Sequence, residues 1–313
     1  MLLPPALSVV IVSYRVPDLL LACLASLLPE LVGSDEVVVV DNASGDGSAG
    51  RVRAAFPAVN VIESPVNLGF GAGCNLGVRN STGTLVLLLN PDTVVHPGAL
   101  AALRDVARRR PEAQLWGGRT VSPDGTLDPR SCWGLPTLWS RTCFALGLSA
   151  AFRGSAVFDP EALGGWARDT EREVGMLTGC LLLTTRVLWD RLGGFDERFF
   201  MYGEDTDLNL RARLRGARPM ITPGATVTHV VGASSRRVDK RVLLLRGQVS
   251  LARTHRGRLG AAYEVGALRL GVAVRAAPGL LRSSSRPDDE ASDGPDSTWT
   301  GAWHRRSEWL TGY

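Results

Sequence analysis

Three places in the 313-residue chain put polar side chains where chemistry needs them. The first is Asn90-Pro91-Asp92, which ends the apolar run 85–89. Asp92 is a hard oxygen ligand of the kind that suits a divalent cation bridging phosphates. Two earlier apolar runs end in Ser13-Tyr14 and Asp41-Asn42, and Asn67-Leu68-Gly69 follows a third. Asp41 can accept hydrogen bonds from a base or a sugar. The second place is residues 193–208, GGFDERFFMYGEDTDL. There Asp196, Glu197, Glu204, Asp205 and Asp207 stand among Phe195, Phe199, Phe200 and Tyr202, with Glu171 upstream. Apolar neighbours raise a carboxyl pKa and make the carboxylate a better base. The third is His229, in the β-branched run ATVTHVVGAS. Imidazole is tolerated by Mn2+ as well as by softer metals.

Each residue alone has a plainer reading. Asp41, Asn42 and Asp92 suit turns and helix caps. Glu204 and Asp205 suit a helix N-terminus, and an isolated histidine on an apolar strand is more often structural. Several strand ends carrying polar groups together favour a site. Helix-start acidity does not explain the flanking aromatics.

The elements that must position these residues are legible as an alternation. Apolar runs at 7–12, 36–40, 59–62 and 85–89 alternate with helical patterns, the third of them GAGCNLGVRNS. Short apolar strands separated by single helices predict βαβ units and a mostly parallel sheet. Ligands of such sheets bind outside the carboxyl ends of the strands, which is where the polar residues fall. The middle, 111–235, is less regular. SPDG at 122–125 predicts a hairpin turn, residues 133–166 a loop region, GMLTGCLLLTTR a central strand and EDTDLNLRARLRG a helix. Beyond Ser235, arginines from Arg236 to Arg282 are interleaved with apolar residues, and SSSRPDDEASDGPDS has the composition of a disordered linker. Three segments follow: a main α/β domain at 1–235, a basic amphipathic helical extension at 236–282 and a largely disordered tryptophan-containing tail at 283–313.

Composition is that of a globular protein, 45% hydrophobic and 21% charged, with net charge +4 and a pI near 9.0. The five cysteines are odd in number and none form C-x-x-C, which argues against a disulfide framework or a zinc site and fits a reducing compartment. The N-terminus reads as a first strand rather than a signal peptide, and no run is apolar for about 18 residues, so no spanning helix is expected. GFGAGCNLG superficially suggests a dinucleotide turn, but its glycine spacing is wrong and it follows the third strand instead of the first. A dinucleotide-dependent oxidoreductase remains an alternative, as does a non-catalytic carbohydrate- or membrane-binding scaffold, for which Asn90 is the supporting feature. The arginines carry no recognised nucleic-acid motif.

Six segments in order, SVVIVSY, EVVVVDNASGDGS, NLGFGAGCNLG, LLLNPDT, GGFDERFFMYGEDTDL and TVTHVVGAS, resemble family 2 glycosyltransferases, particularly the bacterial rhamnosyltransferase-like branch. The resemblance implies an α/β GT-A fold: a Rossmann-like, mostly parallel sheet with helices on both faces, here followed by the basic helical tail. It implies that Ser13, Tyr14, Asp41, Asn67 and Asn90 hold a sugar nucleotide. Asp92 would be the metal carboxylate of the Asp-x-Asp motif, His229 a further metal contact, and Gly179 part of the acceptor pocket. Glu204 and Asp205 are the candidate catalytic carboxylates. Adjacent helix residues do not face the same way, and the resemblance selects Asp205 as the general base. Many relatives carry aspartate at Asn90, whereas the rhamnosyltransferase-like branch commonly reads Asn-Pro-Asp. The implied reaction is inverting and assisted by Mg2+ or Mn2+. The implied donor is dTDP-L-rhamnose and the acceptor a lipid-linked or growing cell-envelope saccharide. The expected place is the cytoplasm, where the basic segment from Arg236 to Arg282 either touches the anionic inner face of the membrane or forms a solvated helical face or subunit contact.

Overall fold

All seven residues of β1 (Leu7–Ser13) are buried, as expected of a strand covered on both faces. The computed structural model describes residues 6–230, 237–283 and 295–313, so Arg236, the end of the last motif and the acidic linker lie outside the described residues. The chain forms two compact units. One comprises residues 1–133, 166–200 and 204–234; the other comprises 134–165, 201–203 and 235–313.

In the first unit β1 is followed by α1 (Pro17–Leu27), β2 (Glu36–Asp41), α2 (Ser48–Ala55), β3 (Asn60–Glu63), α3 (Phe70–Arg79) and β4 (Leu85–Leu89). The short β5 (Thr93–Val95) comes directly after Asp92, and α4 (Ala99–Arg109) leads to β6 (Leu115–Val121). The SPDG turn closes as expected, Gly125 N–H donating to Ser122 O at 2.9 Å, and returns the chain as β7 (Leu127–Asp128) and then β8 (Cys132–Trp133). After an excursion through α5 (Leu138–Ala145) and α6 (Leu148–Ala151), the chain re-enters the unit at β9 (Arg172–Glu173) and β10 (Met176–Leu177). It finishes there with β11 (Leu181–Thr185), α7 (Arg186–Leu192), α8 (Glu204–Arg213) and β12 (Met220–His229).

The sheet runs β3-β2-β1-β4-β11-β6-β12-β5. It is parallel from β3 to β4 and between β6 and β12, while β11 lies antiparallel between β4 and β6. Parallel register ends β1 and β2 level, with Ser13 opposite Asp41. Antiparallel register puts His229 opposite Thr93, and Val230 N–H donates to Asp92 O at 2.8 Å. Leu20, Leu24 and Leu27 of α1 and Leu100, Leu103 and Val106 of α4 join the strand residues in one core. The glycines of α3 serve packing: a Cβ at Gly73 would meet Val12 at 2.9 Å and one at Gly77 would meet Val10 at 2.4 Å.

Three expectations differ from what is observed. GMLTGCLLLTTR is two strands, β10 paired with β8 and β11 in the main sheet, broken at Thr178-Gly179-Cys180. The 133–166 stretch is not simply loop. It contains α5, started by a reciprocal cap between Thr137 and Ser140. The third concerns 283–313, where residues 295–313 carry α11 (Pro295–His304) and α12 (Arg306–Leu310). In the second unit these follow α9 (Arg237–His255) and α10 (Arg258–Ser283). Trp309 is fully buried with Val242, Leu245, Val249, Leu268 and Val272, and its indole N–H donates to Ala302 O at 2.8 Å. The tryptophans that looked like a loose tail thus complete a core.

Candidate active site

The Asn90–Asp92 turn is fixed from several sides. Asn90 N–H donates to Cys180 O at 3.1 Å, Thr93 Oγ1 donates to Asn90 O at 2.7 Å, and Pro91 restricts φ at the exit. This aims Asp92 toward His229. His229 Nε2 lies 3.3 Å from Asp92 Oδ1, a charge contact rather than an aligned hydrogen bond. Asp92 Oδ1 is buried with no hydrogen-bond partner among the described residues. The other ring nitrogen, His229 Nδ1, is 3.0 Å from Oδ2 of the fully buried Asp128. Asp128 is held in turn by Arg130 Nε at 2.6 Å. Burial opposes charge on His229, but the contacts with Asp128 and Asp92 outweigh it and push the imidazole up to about 9. Burial would likewise raise Asp128, yet hydrogen bonds from His229 and Arg130 bring it down to about 2.

Asp92 and His229 fit a divalent cation that completes its coordination elsewhere. A partly exposed carboxylate whose buried Oδ1 lacks a hydrogen bond stands beside an imidazole whose second nitrogen is anchored by a carboxylate, an arrangement that orients ligand histidines once a cation displaces the Nε2 proton. No cluster of three or more His, Cys, Asp or Glu is placed to hold an ion by itself among the described residues. Such a two-donor site suits a cation that takes its remaining ligands from phosphate and water.

A second corner is built by α8. Burial pushes the Asp205 carboxyl up to about 7, against a hydrogen bond from the Gly179 backbone N–H. Burial, and then the adjacent Asp205 charge, push Glu204 well above the usual carboxyl range. Asp205 Oδ1 and Glu204 Oε2 are buried without hydrogen-bond partners among the described residues. A Cβ at Gly179 would meet the Phe70 ring at 2.7 Å and Asp205 Oδ1 at 3.1 Å, so glycine there keeps the carboxylate's face open. Asn209 clasps α8 to β10: its side chain bonds Leu177 N–H at 3.1 Å, Leu177 O at 2.8 Å and Asp205 O at 2.8 Å. The two corners adjoin, because consecutive residues touch them. Gly179 meets Asp205, and Cys180 accepts from Asn90. The buried Cys180 thiol accordingly feels the charges of Asp92, Asp128 and Asp205.

The third corner is the ends of β1 and β2. Ser13 Oγ is buried and has no hydrogen-bond partner among the described residues. Asp41 Oδ1 accepts from Ser44 N–H at 3.0 Å, and Tyr14 lies under the Arg15 guanidinium at 5.1 Å.

Comparison with known proteins now decides the family. Residues 8–160 match the family described as "Glycosyl transferase family 2". The N-acetylglucosaminyl-diphospho-decaprenol L-rhamnosyltransferase of Mycobacterium tuberculosis is 31% identical over 246 residues, 71% of this chain and 75% of that protein. The chain belongs to glycosyltransferase family 2.

The folds of solved glycosyltransferases agree. A mannosyltransferase from Pyrobaculum calidifontis, solved with GDP-Man and Mn2+, superposes with TM-score 0.61 at 19% identity, covering 98% of this chain and 88% of that one. GalNAc-T7 with UDP, GalNAc and Mn2+ gives TM-score 0.58 at 13% identity, covering 95% and 54%. The fold is GT-A.

As a family 2 glycosyltransferase the chain gathers some expected residues and disperses others. Asp92 and His229 meet, and Asp205 faces Gly179. Asn67 is a loop builder: its Oδ1 accepts from Asn42 Nδ2 at 3.0 Å and from Gly69 N–H at 2.9 Å. Asn90 contributes through its backbone. Of the acidic-aromatic cluster, Asp196 pairs with Arg198, Glu197 with Arg79, Asp207 with Arg211 and Glu171 with Arg109, which leaves Glu204 and Asp205 as its orphaned carboxyls. Asp128 and Asn209 were not singled out from sequence. The one available signal for Asp128 was the hairpin, whose register puts it opposite Thr120 on the strand beside β12.

Proposed function

We propose that this chain transfers rhamnose from dTDP-L-rhamnose to a lipid-linked or growing cell-envelope saccharide, with inversion at the anomeric carbon. The observation that carries the reading is that Asp92 Oδ1, in charge contact with His229, and Asp205 Oδ1 are buried without hydrogen-bond partners among the described residues, in corners joined by Gly179-Cys180. Asp205 accepts the proton of the acceptor hydroxyl, and a carboxyl raised to about 7 is matched to that task near neutral pH. Gly179 leaves room for the hydroxyl to approach. Ser13 and Asp41 receive the nucleoside of the donor. Asp92 and His229 would hold a divalent cation, whose chemistry is to neutralise the charge of the departing diphosphate. A base opposite the leaving group makes the displacement in-line, hence inverting. Glu204, buried beside Asp205, is itself pushed up by burial and then by the Asp205 charge.

The rhamnosyltransferase relative supports L-rhamnose as the sugar moved and a lipid-linked N-acetylglucosamine acceptor, and the Mn2+ bound by the fold neighbours supports the cation. Five unbridged, buried cysteines support a reducing, cytoplasmic setting. The α3 glycines, filled by Val10 and Val12 contacts, do not favour a dinucleotide turn.

The test is a panel of UDP-, GDP- and dTDP-sugars with a prenyl-diphosphate-linked N-acetylglucosamine and Mn2+. The expected result is transfer from dTDP-L-rhamnose, inverted anomeric configuration by NMR, and loss of product with a chelator or with Asp92→Asn. Retention of configuration, or undiminished turnover by Asp92→Asn, would overturn it.

A further inference from the structure

Helix α10 is apolar on both sides. Its inner face, with Leu268, Val272 and Ala276, is buried in the core of the second unit. Its outer face exposes Leu259 (89%), Tyr263 (45%), Leu270 (50%) and Val274 (47%). At roughly 100° per residue these four fall within an arc of about 60° along about 22 Å of helix. Ala262, Gly266, Ala273 and Ala277 widen it to about 120°, and no charged residue falls within that wider arc. An apolar helix face of this length is ordinarily buried, and this one is at the surface.

The stripe has a cationic rim. Arg258 and Arg269, both exposed, lie together along one edge. Glu264, the single acidic residue of α10, is buried and holds Arg256 at 2.8 Å. Several arginines of the basic segment are spent inside the unit. Arg241 stacks on Trp299 at 4.1 Å, Arg246 on Tyr313 at 4.6 Å and Arg275 on Phe144 at 4.0 Å. Arg258 and Arg269 remain exposed at the rim of the stripe. Beside α10, α5 bonds to it through Thr142 and Tyr263 hydroxyls and exposes Leu138 and Trp139.

We propose that the outer face of α10 is a membrane-docking surface that lies in the headgroup boundary of an anionic lipid leaflet. The apolar stripe enters the acyl boundary, and Arg258 and Arg269 meet lipid phosphates. The helix lies on the membrane and does not cross it: no helix among the described residues is long and apolar enough to span. A second copy of the chain is the weaker occupant. A two-fold contact pairs the stripe with itself and brings cationic rims toward each other without an acidic counterpart on α10. The inference goes beyond the transferase reading and is tested without donor or acceptor, so either can fail alone.

The experiment is flotation of the full chain with vesicles of phosphatidylcholine, with and without phosphatidylglycerol, at low and high salt. The wild type should float with the phosphatidylglycerol vesicles and less so at high salt. Leu259→Gln/Leu270→Gln/Val274→Gln, all exposed positions suited to glutamine in a helix, should weaken binding at least about tenfold. Arg258→Gln/Arg269→Gln should remove most of the salt-sensitive part, about tenfold or more. Unchanged circular dichroism and thermal transition identify folded variants, and the arginine pair keeps the question answerable if the triple variant unfolds. Absence of wild-type binding, or equal binding by both variants, overturns the proposal. So does a wild-type dimer in sedimentation that the triple variant converts to a monomer without any vesicle binding.

Discussion

Among the described residues Asp205 and Glu204 are neighbours with no arginine partner, while every other acid of the same segment is given one. Asp92, Asp205 and His229 were picked out by ordered motifs and a family resemblance, because residue type alone fits a turn, a helix start and a structural histidine equally well. Asp128 and Asn209 were not legible. Each is an ordinary polar residue whose role comes from a partner distant in the chain, His229 at 3.0 Å in one case and Leu177 in the other. Asp128 leads to a prediction at this scale. Asp128→Asn keeps the shape but removes the charge that orients the imidazole, so Mn2+ affinity measured by calorimetry should fall about 10- to 100-fold. Thermal stability measured in parallel separates this from unfolding. Unaltered affinity in a folded variant would show that His229 needs no such support.

At the scale of elements, the first four strands and the α3 pattern were readable because period and punctuation agree. The antiparallel insertion of β11 was not, since a buried run such as LLLTT reads the same in either direction. The break at Thr178-Gly179-Cys180 was hidden for a different reason. Gly179 is needed because Phe70 and Asp205 approach it, and those contacts are tertiary. The helical tail was misjudged because its tryptophans bury against α9 and α10, contacts that composition cannot show. Helix–strand closeness gives the prediction here. A methyl at Gly77 meets Val10 Cγ1 at 2.4 Å and Val40 Cγ2 at 3.3 Å, both on stiff β-branched side chains. Gly77→Ala should therefore destabilise by about 1–3 kcal/mol even though alanine is the better helix former. Gly50→Ala, in α2 with nothing within 4 Å of the new carbon, should stabilise by up to about 1 kcal/mol. Melting temperatures moving in the same direction would contradict the packing account.

For the whole molecule, composition set only the class: a mildly basic chain with five unbridged cysteines. The family came from ordered motifs and from a relative sharing 31% identity. The central claim is that one chain supplies a base at Asp205 and a cation site at Asp92 and His229. Its pH dependence has a definite sign. The base works ionised and burial raises it to about 7, so activity is present above that pH and falls as pH drops through it. The most direct measurement is the transfer rate of Asp205→Asn against wild type, with donor binding measured on the same preparations. The account predicts a kcat lower by roughly 100- to 10,000-fold, donor affinity unchanged, and loss of the acid limb near pH 7. A variant that turns over at the wild-type rate, or that loses donor binding instead of turnover, would contradict it.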